Sequence, residues 1–130
     1  MARKVGAIDF SNECRRLLKE FGSEAHVAIN ELTEEAADTA VKMIRGNVRH
    51  HGAGYAKGWA KKRTSAWGFG TTYSVYNKTH YRVAHLLDKD HPFKNKDGRT
   101  IAQWKGDHAV ADAEEYTFAW LDNAVRKKFG

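Results

Sequence analysis

An α+β domain is the architecture that this sequence predicts, with helices packed on a small antiparallel sheet. Apolar residues recur at helical spacing near both ends of the chain. The stretch between them is rich in aromatic and β-branched residues punctuated by glycines. At 130 residues the chain is the size of one domain, 1–130. Folding at that size buries about two-thirds of the surface an unfolded chain exposes. A hydrophobic core is therefore expected without metal or disulfide staples.

Residues 9–46 read as helix. Phe10, Cys14, Leu17, Leu18 and Phe21 form one apolar stripe, which resumes through Ala25, Ala28, Ile29, Leu32, Ala36, Ala40, Met43 and Ile44. Gly22-Ser23 interrupts it at a cost of about 1 kcal/mol against alanine. One long helix or two helices broken there both fit; the phase of the stripe survives the glycine, which favours the single long helix, kinked. Gly46 and Asn47 supply the stop. Residues 1–8 are expected to be a flexible N-terminus.

Beyond a glycine-bearing loop at His50-His51-Gly52-Ala53-Gly54, residues Tyr55 to Thr64 and Thr71 to Asn77 read as strands. Trp67-Gly68-Phe69-Gly70 between them predicts a hairpin with a long loop. Tyr81 to Leu87 is a short helix candidate that closes before Pro92. The polar run from Asp90 to Arg99 predicts a mobile loop, taken as about 88–99, and Thr100 to Lys105 a third strand. The last helix is the clearest, with Val110, Ala113, Thr117, Trp120, Leu121 and Ala124 on one face. Asp112, Glu114 and Glu115 lie at its start and Arg126, Lys127 and Lys128 at its end, the order that suits the helix dipole.

Composition excludes several classes of protein. With 42% hydrophobic and 29% charged residues, neither disorder nor a fibrous chain is indicated. No run approaches the ~20 apolar residues that span a bilayer. The N-terminal residues have no signal-peptide pattern, so export by that route is not expected. A lone Cys14 forms no internal disulfide and fits a reducing compartment. The net charge of +6 is uneven: residues 51–106 hold eleven basic and three acidic groups, while residues 1–50 hold eight of each. Basicity in the middle predicts attraction to nucleic acid or to an acidic protein surface.

Chemical constellations are weak. Gly52 to Gly58 holds glycines beside Lys57, but a phosphate loop needs Gly-Lys-Ser/Thr opening a helix, and here lysine precedes glycine. His80, His85 and His91 with Asp88 and Asp90 can be drawn as a metal site, yet a spacing of five between the first two suits one helical face poorly. Asp88-Lys89-Asp90-His91 has the flavour of a metal-dependent nuclease. Tyr55, Trp59, Trp67, Phe69, Tyr73, Tyr76 and Tyr81 alternate with Lys57, Lys61, Lys62, Arg63, Lys78 and Arg82. Single-strand binders use such mixtures, with rings for stacking and cations for phosphates. Strand packing and edge protection call for the same residues.

Specific strings resemble a known family. Tyr55-Ala56-Lys57-Gly58-Trp59 and Val75-Tyr76-Asn77-Lys78-Thr79-His80-Tyr81 are followed by His85-Leu86-Leu87-Asp88 and then His91. Their order resembles the small neck, or minor tail, component of long-tailed bacteriophages, the head–tail joining (tail-completion) family. Members typically read Thr-Gly-x-Tyr-Ala-x-Gly-Trp, then Val-Tyr-Asn-Lys, then His-Leu-Leu-Glu-x-Gly-His. They close on an Ala-x-Ala-Glu-Glu helix start, matched by Ala111-Asp112-Ala113-Glu114-Glu115. The resemblance runs over roughly residues 9–128. Ala53 stands where threonine is frequent, Asp90 where glycine precedes the last histidine, and Asp112 where proline is common.

The resemblance implies a structural virion protein with no catalytic residues, cofactor or metal. It implies a ring, expected to be a hexamer, in the neck of the particle, assembled from chains made in the host cytoplasm. Its partners would be copies of itself, the head-side connector or stopper, the tail terminator or tail tube, and double-stranded DNA in the channel. No membrane is implied. Within the matching strings, Tyr55, Trp59, Tyr76, Asn77, Leu86 and Leu87 are expected to be anchors. His85, Asp88 and His91 are expected to hold the following loop, and Lys57, Lys61, Lys62 and Arg63 to face an acidic neighbour or the DNA. A basic nucleic-acid-binding module is the alternative.

Overall fold

The structure is a computed structural model that describes residues 7–48, 54–66, 70–81, 84, 88, 91–104, 106 and 108–129. The chain runs through β1 (Ile8–Asp9), α1 (Ser11–Phe21), a 3₁₀ turn at Ser23–Ala25 and α2 (His26–Asn47). A second 3₁₀ turn, Ala56–Gly58, leads into β2 (Trp59–Ala66) and β3 (Gly70–Asn77). A ribbon of β4 (His91–Lys94) and β5 (Thr100–Trp104) precedes α3 (Ala109–Phe129). The α+β expectation holds: a long N-terminal helix and a C-terminal helix pack on a small three-stranded antiparallel sheet. No helix among the described residues is long and apolar enough to cross a membrane.

The predicted single helix over 9–46 is instead two. A straight helix of that span would be roughly 57 Å long, about twice the diameter of a small domain. Gly22 breaks it with φ +89° and ψ 158°, a conformation essentially confined to glycine. Both stripes then serve one core. Cys14 and Leu17 of α1 are buried with Ile29, Ala36, Ala40 and Ile44 of α2, while Leu18, Phe21, Leu32 and Met43 pack at the margin. Each large apolar side chain so enclosed contributes about 1.5–3 kcal/mol.

The end of the expected flexible N-terminus, 1–8, also departs from expectation, residues 1–6 lying outside the described ones. Ile8, read as part of a flexible tail, has no exposed surface and pairs with Val75, making β1 the third strand. A two-residue strand is too short for period-two alternation to reveal it. The sheet order is β1-β3-β2, and the β2–β3 register runs from Trp59↔Asn77 to Ala66↔Gly70. That register leaves a three-residue connection, 67–69, in place of the long loop expected; those residues lie outside the described ones.

The polar run near 88–99, expected to be mobile, contains β4 and a tight turn. Asn95 Oδ1 accepts the amides of Asp97 and Arg99 at 3.0 Å each, and Gly98 takes φ +80° to close the turn. Thr100–Trp104 is a strand as expected, but it pairs with β4 and not with the main sheet. Of the short-helix candidate Tyr81–Leu87, Tyr81 lies in a turn and Ala84 is helical, as is Asp88 just beyond it. His85, Leu86 and Leu87 lie outside the described residues.

α3 buries Val110, Ala113, Thr117, Leu121 and Val125 and makes its most extensive contact with α2. Its pairing with α1 advances along both helices together, so the two run parallel. Phe10 meets Phe118 edge-on at 5.3 Å, Arg16 bonds Asp122 at 2.7 Å, and Arg126 bonds Glu20 at 2.7 and 2.9 Å. Hydrogen bonds from Arg126 and then Arg16 hold the Asp122 carboxyl below the usual carboxylate range. A carboxyl depressed in the folded state stabilises the fold above its unfolded pKa, and that contribution disappears as pH falls through the folded value. The network is largely exposed and solvent screens it, so the effect is small.

Two outcomes are expected. Gly22→Ala should lower unfolding stability by about 1–3 kcal/mol in urea titrations, because alanine is strained at that backbone conformation. Arg126→Met should flatten the decline of stability below pH ~4, where Asp122 loses its charge, as read from thermal melts across an acid series.

Candidate functional site

The residues of the matching strings converge at two places. The first is the junction where the turn after α2 enters β2 and β3 leaves the sheet. Tyr55 and Trp59 are buried there and meet edge-on, with ring centroids 6.0 Å apart and planes at 74°. His80 stands edge-on to Tyr55 at 5.6 Å. Asn77, fully buried, ties the two chain segments. Its Nδ2 donates to the Tyr55 carbonyl at 2.8 Å, while its Oδ1 accepts the amides of Thr79 at 3.0 Å and His80 at 2.8 Å. The Thr79 hydroxyl donates to the same oxygen at 3.1 Å.

Gly58 completes this junction through its lack of a side chain. A Cβ there would collide with Asn77 Oδ1 and would stand 2.6 Å from Thr79 Oγ1. The glycine carbonyl accepts the Lys78 amide at 2.8 Å, extending the same tie. Arg45, near the end of α2, donates to the carbonyls of Trp59 at 2.7 Å and Lys57 at 3.3 Å. These bonds fix the start of β2 against the helix layer. Among the described residues Trp59 Nε1 is buried without a hydrogen-bond acceptor, an unmet donor that typically costs about 1–3 kcal/mol. Packing of the ring offsets it.

The second place is the start of α3. Asp88 is 2% exposed, and its carboxylate accepts the Val110 amide at 2.7 Å and the Ala111 amide at 3.3 Å. Its own carbonyl accepts the His108 amide at 2.9 Å. The first amides of a helix lack intrahelical partners, and a carboxylate there also meets the positive end of the dipole. Here that cap comes from far back in the sequence. His108, just before the helix, holds φ +56°, a left-handed conformation uncommon outside glycine.

The cations divide. Lys61 is engaged within the chain, with Nζ 3.0 Å from Glu34 and 2.9 Å from Asp38, and 5.6 Å from the centroid of the Tyr73 ring. Hydrogen bonding to Lys61 pulls the Glu34 carboxyl below its ordinary range. The side chains of Lys57, Lys62 and Arg63 are exposed. Tyr76 is half-buried on β3, opposite Ala60. His91 opens β4 opposite Trp104, and its side chain lies outside the described residues.

This placement bears on the chemical alternatives. Stacking on nucleic-acid bases needs exposed rings; of the rings named above, Tyr55, Trp59 and Tyr73 are buried, Tyr76 is half-buried and Tyr81 is exposed, while Trp67 and Phe69 lie outside the described residues. A nuclease centre at Asp88 needs a carboxylate free to hold a cation, and this one is committed to α3 amides. Among the described residues no three His, Cys, Asp or Glu side chains gather as a metal site. Cys14 lies in the core, its Sγ 3.1 Å from Thr33 Oγ1 and 3.4 Å from Thr72 Oγ1, and burial pushes its thiol pKa up.

Sequence reasoning named Tyr55, Trp59, Asn77 and Asp88 but not what joins them. Gly58 was quoted in the matching string without a role, and Arg45 escaped it. For Gly58, the signal available was a glycine immediately before a tryptophan at a strand entrance, a mark of close backbone approach.

Asp88→Ala should cost about 1–2 kcal/mol in chemical denaturation and speed hydrogen exchange at the Val110 and Ala111 amides, with Asp88→Asn retaining part of both. Unchanged exchange at those amides in the alanine variant would refute the capping role.

Comparison with protein families, curated proteins and solved structures returned no match.

Proposed function

We propose that this chain is a structural component of the neck of a long-tailed bacteriophage, one copy of a ring that joins the DNA-filled head to the tail and continues the DNA channel. The observation that carries this reading is the use to which the matching strings are put. Tyr55, Trp59 and Asn77 form the β2–β3 junction, and Asp88 caps α3. They hold elements of the fold in place. A joining protein needs such a frame, with its working chemistry spread over surfaces.

Those surfaces are of a suitable kind. β2 lies at an edge of the sheet, with no partner on its outer side among the described strands. An open edge accepts an added strand through main-chain hydrogen bonds. Lys57, Lys62 and Arg63 are exposed around it, suited to an acidic neighbour or to phosphates in the channel. Contacts of this sort are individually modest. Repeated around a closed ring, they sum through multivalency into a joint that withstands packaged DNA.

Loss of the gene should leave filled heads and finished tails that fail to join, scored by electron microscopy of infected-cell lysates. Normal numbers of joined, infectious particles would overturn the proposal.

A further inference from the structure

The ribbon β4–β5 is the least supported part of the fold. It pairs with itself and makes no more than isolated contacts with the other described elements. A two-stranded hairpin is at best marginally stable in water on its own. Its base is pinned, because Asp88 bonds His108, Val110 and Ala111. Its strands extend about 17 Å at ~3.4 Å per residue. Its tip, residues 95–100, is exposed throughout and carries Lys96, Asp97 and Arg99, none of which has an ion-pair partner among the described residues.

On the opposite side of the charge balance stands the outer face of α2. An open groove of about 360 Å³ lies between its first turns and the sheet, lined by His26, Val27, Glu31, Glu34, Arg63 and Tyr73. Val27 leaves 55% of its surface exposed there. Glu31 and, one turn on, Glu35 are exposed, and no described residue pairs with either. Helix face and tip are complementary in pattern as well as in sign. Lys96 and Arg99 suit Glu31 and Glu35, and Asp97 suits Arg63 in the groove wall.

The geometry points to the hairpin tip of one copy docking on the outer α2 face of a second copy of this chain. A tip-to-tip contact would set Lys96 and Arg99 against their own kind, and an α2-to-α2 contact would do the same with Glu31 and Glu35. Only unlike patches satisfy both. A contact between unlike patches passes from copy to copy and closes where the rotation permits. This inference rests on the ring reading and names the surfaces that would build it.

The test uses the full chain with two charge-reversed variants, K96E/R99E and E31K/E35K, and sedimentation velocity at low salt. Each variant alone should self-associate about tenfold or more weakly than the wild type. An equimolar mixture should recover association, because each variant's tip then meets an opposite charge on the other's α2. Recovery should fade as salt is raised. Circular dichroism identical to the wild type excludes misfolding as the cause. The inference is overturned by a wild type that stays monomeric at all concentrations, or by a mixture no stronger than its parts. It is equally overturned if only one of the two variants is impaired. The two levels separate in infected cells. If gene loss abolishes joining while both variants join heads to tails normally, this contact falls and the neck reading stands. If gene loss leaves particles normal, the neck reading falls while sedimentation still decides the contact.

Discussion

The carboxylate of Asp88, enclosed against the first amides of α3, sets the course of the C-terminal half. A helix start needs a partner for its free N–H groups, and most helices find it in the residue just before them. Here that position is held by His108 in a left-handed conformation, and the acceptor arrives from 22 residues earlier. One side chain thus begins the longest contact surface of α3 and brings together two points far apart in sequence. Between those points runs the β4–β5 ribbon, which pairs with itself and not with the main sheet.

Asn77 does corresponding work in the other half. An asparagine offers donors and acceptors from one planar group. Here both sides are used, one towards the Tyr55 carbonyl and the other towards the turn at Thr79 and His80. A buried amide satisfied in this way stiffens its surroundings, since any movement would strand a polar group in a dry interior. Gly58 must be bare to admit it, so the strand entrance, the strand exit and the aromatic pair beneath them form one unit. The two centres share a logic, in which polar side chains inside the protein fix the paths of segments whose outer faces remain open.

How much of this was legible in the sequence follows from the range of the interactions. The stripes of α2 and α3 are local patterns repeated over several turns, and Ile29, Ala36, Ala40, Ile44, Val110, Ala113 and Leu121 are buried as their spacing requires. The break at Gly22 was visible as a glycine, but the stripe continued in phase across it. Only the length limit of a compact domain decides for two helices. β1 could not be read, because its two residues gain strand character solely from Val75 and Ser74 across the sheet. The ribbon looked like loop because turn residues dominate its tip, and the bonds made by Asn95 are what order them. Asp88 was legible as a polar residue worth naming, whereas its partners were not, since nothing local ties residue 88 to residue 110.

The position of Cys14 has a practical consequence. It is the only cysteine in the chain, sits 2% exposed between Thr33 and Thr72, and carries a thiol made less acidic by its surroundings. Reagents that attack thiolates therefore find almost nothing to modify in the native protein. A single cysteine placed on the surface by substitution becomes the sole reactive handle. Fluorophores or spin labels can be seated one at a time on any face without first removing a native residue from the interior.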